Sequence, residues 1–510
     1  MANKSVKTTS VAEMEPHVVR KSLVKAGLHG SRLAGRALIR TLKGGRPNPV
    51  SFKSITKPYL RFYGKLMTQP DTLISAQMRL LQNTGILGGG AFMSLVSREP
   101  MRVAVPERGD GRFRNEAWDN SLYFSFLKQA YLMSDRWIMD TIDDVRGMDD
   151  HDRRKVRFFT SQVTSALSPS NYVLTNPEVL RTTVDTRGRN LLRGFANFLR
   201  DIDEADGHLS FRMSDPDAFK VGENLADTPG DVVYQHDLMQ LIQYRPTTPS
   251  VHRRPLLVVP PWINKYYILD LGQKKSFIRY WLEQGHTVFV ISWVNPGKKH
   301  ADRGFEDYML EGLVEALDAI KKATGEREVN TVGYCIGGTL LGCTLSWLKA
   351  RGDDRVKSAT FFNSLMDFSE VGDLEVFIDE DMVRKIEKAM KKQGCLDGAS
   401  MAAAFNMLRA DNLIWSFFIN NYLLGRDTPP FDLLYWNSDT TRLPYAMHSF
   451  YLRNMYLHNR LRNPGGIALK GTPVDLSRVT IPAYFASAIE DHIAPWVSCY
   501  EGARNLGGPL

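Results

Sequence analysis

The chain has 510 residues, 43% of them apolar and 24% charged, with a formal net charge of +9. That length implies two or three domains. No run approaches the ~18 consecutive apolar residues of a membrane span. The N-terminus shows no compact apolar stretch with a cleavage site, and Cys335, Cys343, Cys395 and Cys499 lack metal-ligand spacing. Free thiols in a reducing cytoplasm are the expectation.

Taken in chain order, residues 1–50 read as a basic arm, with Lys4, Lys7, Arg20, Lys21, Lys25, Arg32, Arg36, Arg40, Lys43 and Arg46 against Glu13 and Glu15. Such an arm suits an anionic surface, although a solvated tail explains it as well, and no nucleic-acid motif accompanies it. Residues 51–225 read as a mainly helical domain. Between Trp118 and Val145, Leu122, Phe126, Tyr131, Trp137 and Ile142 recur at helical spacing and are expected in the core. Asn176-Pro177-Glu178 reads as a helix start, with Asn176 as cap.

From about residue 226 the pattern changes to short apolar strands alternating with helices. Strands are expected at Val232–Gln235, Leu238–Tyr244, Pro255–Val259, Thr287–Trp293, Val329–Gly333 and Ser358–Phe362. Helices are expected at Ser276–Gln284, Phe305–Thr324 and Gly338–Ala350. This alternation predicts a parallel sheet covered on both faces, an α/β fold. Helical, aromatic-rich sequence over about 371–455 interrupts it, as an inserted lid would, before Pro482–Ser487 restores a strand.

Gly333-Tyr334-Cys335-Ile336-Gly337-Gly338 stands between a strand and an apolar helix. This is the pattern of a nucleophile elbow with cysteine in the reactive position, and it defines an α/β-hydrolase fold. The tight turn needs glycine beside the nucleophile, and the helix start helps hold a thiolate. Cys343, further along the helix, reads as a buried structural thiol. An oxyanion hole would use the amide of Ile336 and one from Trp262–Asn264, with Ile263 central. Asp491, after the last predicted strand, is in position for the acid. Asp367 is the alternative and reads as structural. His448 and His458 fall in the lid. His492 adjoins Asp491, too close in sequence for an acid–base relay, and reads as a hydrogen-bonded structural residue.

These segments, with LSPSNYVLTNPEVLR (167–181), LLVVPPWINKYYILDL (256–271), GHTVFVISWVNP (285–296), VGYCIGGT (332–339), PFDLLYWNSD (430–439) and IEDHIAPW (489–496), resemble the class I poly(3-hydroxyalkanoate) synthases over most of the chain. The resemblance implies an acyltransferase that polymerises (R)-3-hydroxyacyl-CoA, with short acyl chains such as 3-hydroxybutyryl favoured. It implies that Cys335 carries the growing polyester as a thioester and that Asp491 is the catalytic aspartate. CoA would arrive with the substrate, with no metal and no other cofactor. A cytoplasmic homodimer at a polymer granule surface, without nucleic acid, is the implied setting. Family members continue to a further strand and a glycine-flanked catalytic histidine. Here the sequence ends at Leu510, so missing last strands and impaired activity are expected. An α/β-hydrolase thioesterase or depolymerase, and a non-catalytic granule-associated partner, are the competing readings.

Overall fold

A computed structural model of the chain describes residues 52–205 and 211–510. The predicted basic arm lies outside the described residues. The N-terminal part is helical: α1 (Phe52–Met67), α2 (Pro70–Ser97), α3 (Leu122–Asp144), α4 (Asp150–Ala166), α5 (Pro177–Asp185) and α6 (Arg189–Glu204). Asn176 caps α5 as predicted: its side-chain oxygen accepts from the amides of Glu178 (2.9 Å) and Val179 (3.2 Å), with Pro177 in the first turn. The core stripe predicted for α3 needs correction. Ile142 is buried, but Phe126 is 38% exposed. The helix instead turns Ser125, Lys128, Gln129, Leu132 and Met133 inward. Gln129 accepts from the amides of Val103 and Ala104 and donates to the Ala104 carbonyl, satisfying backbone that would otherwise be buried unpaired.

Seven strands build the central sheet: β1 (Gly230–Gln235), β2 (Met239–Tyr244), β3 (Leu256–Val259), β4 (Val288–Trp293), β5 (Val329–Tyr334), β6 (Val356–Phe362) and β7 (Ala483–Ala486). Their spatial order is β1-β2-β4-β3-β5-β6-β7. The β1–β2 hairpin joins β4 antiparallel, and the remaining pairs are parallel. Helices α7 (Phe277–Glu283), α8 (Glu315–Thr324) and α9 (Ile336–Ala350) cover the two faces. All four residues of β3 are buried, as expected of a strand covered on both sides. The single helix predicted for Phe305–Thr324 contains a π-helical stretch, Tyr308–Val314. There Gly312 lies under the Trp293 indole, which would come within 2.4 Å of an added Cβ. β7 pairs with β6 on one side, and on the other the Ala483 amide donates to the Pro509 carbonyl at 2.9 Å.

Residues 363–482 leave the sheet after β6 and return at β7, carrying α10 (Glu380–Gln393), α11 (Gly398–Leu408) and α12 (Tyr445–Tyr451). This insertion is bolted to the N-terminal helices. The buried Lys155 ammonium pairs with Asp379, which also accepts from Ser54. Arg112 reaches Asp411 at 3.4 Å. Asn190 donates to the Leu423 carbonyl at 2.8 Å. After β7, α13 (Trp496–Ala503) closes the description.

Candidate active site

Cys335 occupies the turn between β5 and α9 with φ 53° and ψ −126°, a backbone conformation that side-chain-bearing residues seldom adopt. The surrounding structure holds it there. Its amide donates to the Phe362 carbonyl at 2.8 Å, and its own carbonyl accepts from the Gly338 amide at 2.9 Å. The flanking glycines are needed for space. A Cβ on Gly333 would lie 2.5 Å from the Gly338 Cα, and one on Gly337 would lie 2.2 Å from the Val259 carbonyl oxygen. The helix starts two residues before the predicted Gly338, because Cys335 itself serves as the N-cap residue. Cys343 is fully buried in α9, as expected.

The thiol is half-buried at the carboxyl end of the parallel strands. Burial pushes it up to about 12; the Ile336 amide at the sulfur opposes this, while the negative charge of Asp491 adds to it. Ile263 lies in the loop after β3. Its carbonyl accepts from the amide and hydroxyl of Thr441 at 3.2 and 2.6 Å, tying that loop to the insertion. The Ile263 amide makes no hydrogen bond within the described chain. The Ile336 amide thus stands at the Cys335 sulfur, and the Ile263 amide, in the loop after β3, is without a partner among the described residues.

Asp491 follows β7. One carboxylate oxygen accepts from the amides of Ile493 (2.8 Å) and Ala494 (2.9 Å). The other accepts from the Asn363 side chain at 2.6 Å. Asn363, directly after β6 and at φ 46°, escaped the sequence reading. A residue type that tolerates positive φ, placed at the carboxyl end of a central strand, was the available signal. Tyr451 and Tyr456 also escaped it. Both rings lie close enough to Cys335 for a thiolate there to raise their hydroxyls, which burial already raises strongly.

Asp367 is buried in a structural network. Burial raises its carboxyl, but hydrogen bonds from Ser369 and Asn459, with Arg462 at 3.8 Å, outweigh burial and hold it below the usual range. His458 is exposed. His492 is half-buried, but its ring makes no hydrogen bond within the described chain, in contrast to the hydrogen-bonded role expected of it. Burial and the Arg409 charge lower its pKa. His448 is 5% exposed, and burial lowers it to about 4. Among the described residues, no imidazole is hydrogen-bonded to Cys335 or Asp491. None of the described helices is long and apolar enough to cross a membrane.

The parallel sheet, the strained turn at Cys335 and the acid after β7 define a protein of the α/β-hydrolase fold, and residues 265–506 match the family model of that description. Residues 109–281 match a second model, described as the N-terminus of poly-beta-hydroxybutyrate polymerase (PhaC). The chain is 48% identical over 452 residues to the poly(3-hydroxyalkanoate) polymerase subunit PhaC of Rhizobium meliloti, covering 87% of this chain and 72% of that one. It is 46% identical over 456 residues to the poly(3-hydroxyalkanoate) polymerase of Methylorubrum extorquens (89% and 75%). With the Cupriavidus necator subunit the identity is 39% over 406 residues (79% and 68%). The chain belongs to the poly(3-hydroxyalkanoate) polymerase family and is an enzyme of the α/β-hydrolase superfamily.

Proposed function

We propose that the chain transfers (R)-3-hydroxyacyl units from CoA through a thioester on Cys335 to the hydroxyl end of a growing polyester. The observation that carries this reading is the strained cysteine turn, with the Ile336 amide at the sulfur. The Cys335 thiolate attacks the thioester carbonyl, the Ile336 and Ile263 amides receive the developing oxyanion, and CoA leaves as its thiol. The 3-hydroxyl of the next unit then attacks the acyl-Cys335, the new ester forms, and the sulfur is released. Asp491 orients and stabilises the proton acceptor of these steps. The insertion, packed over the elbow, excludes the water that would end the chain by hydrolysis.

A thiol held at about 12 needs a base to ionise at neutral pH. Loss of a triad base costs up to ~10⁶-fold in kcat, and less for a cysteine, which is intrinsically nucleophilic. Short acyl chains, a homodimer and a granule surface in the cytoplasm belong to the same reading.

The test is CoA release from (R)-3-hydroxybutyryl-CoA by this chain and by Cys335→Ala, with product analysis. Release that yields oligoester and vanishes in Cys335→Ala is expected. Free 3-hydroxybutyrate as the sole product would make the protein a thioesterase. Release unaffected by Cys335→Ala would remove the cysteine from the chemistry.

A further inference from the structure

Helix α2 packs on the molecule the opposite way round from an ordinary surface helix, which turns its apolar stripe inward. Its inward residues are small or polar. Thr72, Ala76 and Ser94 are buried, and a Cβ added to Gly90 would come within 2.7 Å of the Met101 side chain. The Trp137 indole donates to the Ala76 carbonyl at 2.8 Å and holds this side against α3. The apolar side chains are left outside. Ile74, Met78, Leu81, Phe92, Leu95 and Val96 recur at helical spacing along one stripe, each between 62% and 70% exposed. Gly85 and Gly88 fall on the same stripe, and a Cβ on either would meet nothing within 4 Å. On α1, exposed Leu60, Tyr63 and Met67 repeat the pattern. An apolar face of this extent marks an interaction surface.

Positive charge accompanies it. Lys57, Arg61 and Lys65 follow one another at successive turns of α1, a helix without an acidic residue. Arg61 is paired with Asp152, while Lys57 and Lys65 are exposed. Residues 1–97 carry 15 lysines and arginines against three acidic residues, whereas the rest of the chain carries 50 against 53. The excess positive charge of the protein is therefore concentrated in the segment that bears the uncovered stripe. We propose that α1 and α2 dock on the surface of an anionic phospholipid membrane. The α2 stripe enters the boundary between headgroups and acyl chains, Lys57 and Lys65 meet the phosphates, and the net charge of residues 1–50 adds to the attraction. A nucleic acid would leave the stripe in water. An uncharged polyester would leave the positive charge unanswered, and a second copy would set like charge against like. The helix lies along the surface, since its inner side is held to α3 and no described helix is long and apolar enough to cross a membrane. This docking is independent of the chemistry at Cys335.

The test floats the full chain with vesicles of equimolar phosphatidylglycerol and phosphatidylcholine, with vesicles of phosphatidylcholine alone, and with poly(3-hydroxybutyrate) particles. Binding to the mixed vesicles is expected to be at least about tenfold tighter than to the neutral ones. It should weaken as salt shortens the screening length from about 10 Å at 0.1 M to about 3 Å at 1 M. One cation near an anionic surface is worth about fivefold, so the double variant Lys57→Glu, Lys65→Glu should lose at least about 25-fold. The triple variant Ile74→Ser, Leu81→Ser, Phe92→Ser keeps the charge and should lose at least about a hundredfold, since burying each such side chain is worth roughly tenfold or more. Circular dichroism checks that both variants are folded, and the lysine variant carries the test if the serine variant is not. Equal affinity for charged and neutral vesicles would overturn the proposal, as would undiminished vesicle binding by either folded variant. Capture by the polyester particles without vesicle binding would assign the face to polymer instead. A serine variant that sediments as a smaller species with unmoved vesicle affinity would assign it to a second copy. Either result also overturns the proposal.

Discussion

Gly337→Ala is the sharpest perturbation of the elbow, because it adds one methyl group where only backbone can yield. The new Cβ would sit 2.2 Å from the Val259 carbonyl oxygen and 2.7 Å from that of Pro260, and ordinary contact begins at about 3.4 Å. The carbonyl of Val259 belongs to the end of β3, paired with Gly333 across the sheet, so it cannot rotate away. The helix start and the β3 loop must therefore separate by about 1 Å. Overpacking of this kind costs roughly 1–3 kcal/mol and more where backbone must move, so the expected loss is about 2–4 kcal/mol. The same displacement pulls the Ile263 and Ile336 amides apart, and a misplacement of ~1 Å costs ~10²-fold in rate. Gly342→Ala is the internal control on the same helix. Its Cβ would press on the end of the Met366 side chain, Cε at 2.6 Å and Sδ at 3.0 Å, with Leu476 in ordinary contact at 3.8 Å, while alanine gains up to about 1 kcal/mol over glycine in a helix. Urea unfolding and the rate of Cys335 acylation by (R)-3-hydroxybutyryl-CoA read the two variants. Gly337→Ala with unchanged unfolding midpoint and unchanged acylation would refute the geometry. So would a Gly342→Ala variant as damaged as Gly337→Ala.

The remaining tests address charge and protonation. His448 stays neutral in the fold to about pH 4 but titrates near 6.5 when unfolded. Its contribution is therefore complete above pH 6.5 and is lost as the pH falls toward 4, by up to about 3 kcal/mol. Unfolding free energies at pH 7 and pH 5 should converge in His448→Leu, and an unchanged slope would place the ring in solvent. Cys335, held up to about 12, should react with iodoacetamide about tenfold faster per pH unit from pH 7 to 10, as read by peptide mass at that residue. A plateau near pH 8 would reveal a base that lowers the thiol. Asn363→Ala removes the 2.6 Å bond to Asp491. Hydrogen bonds to charged groups are worth roughly 1.5–3 kcal/mol, so the loss should appear in urea titration, and Asn363→Asp, which sets two carboxylates together, should cost more. Lys155→Ala leaves Asp379 with Ser54 but no cation and should loosen the insertion from α1 and α4. Proteolytic cleavage within 363–482 that is no faster than in the unsubstituted chain would count against that joint.

What was legible in the sequence is what depends on neighbours along the chain. β3, β4 and β5 are buried on both faces, so they read as short β-branched runs between turns. The elbow announces itself because its glycines answer to contacts made within a few residues. The π-helical stretch at Tyr308–Val314 was hidden because the Trp293 indole that packs on its Gly312 comes from a distant strand. The burial of α3 was misjudged at Phe126 for a related reason: its inward face is set by the backbone at 101–104 that Ser125 and Gln129 must satisfy, and hydrophobic spacing is blind to that demand. Asn363 and Asp491 are joined over 128 residues because β6 and β7 become neighbours only after the insertion closes on itself. The same closure brings Ser400 and His448 into one pocket with Ile263 and Ile336. Thr441 fixes the insertion to the loop after β3, since it anchors to the Trp262 and Ile263 carbonyls at 2.5 and 2.6 Å from within the insertion itself. The insertion therefore carries the clamp on the loop that holds Ile263.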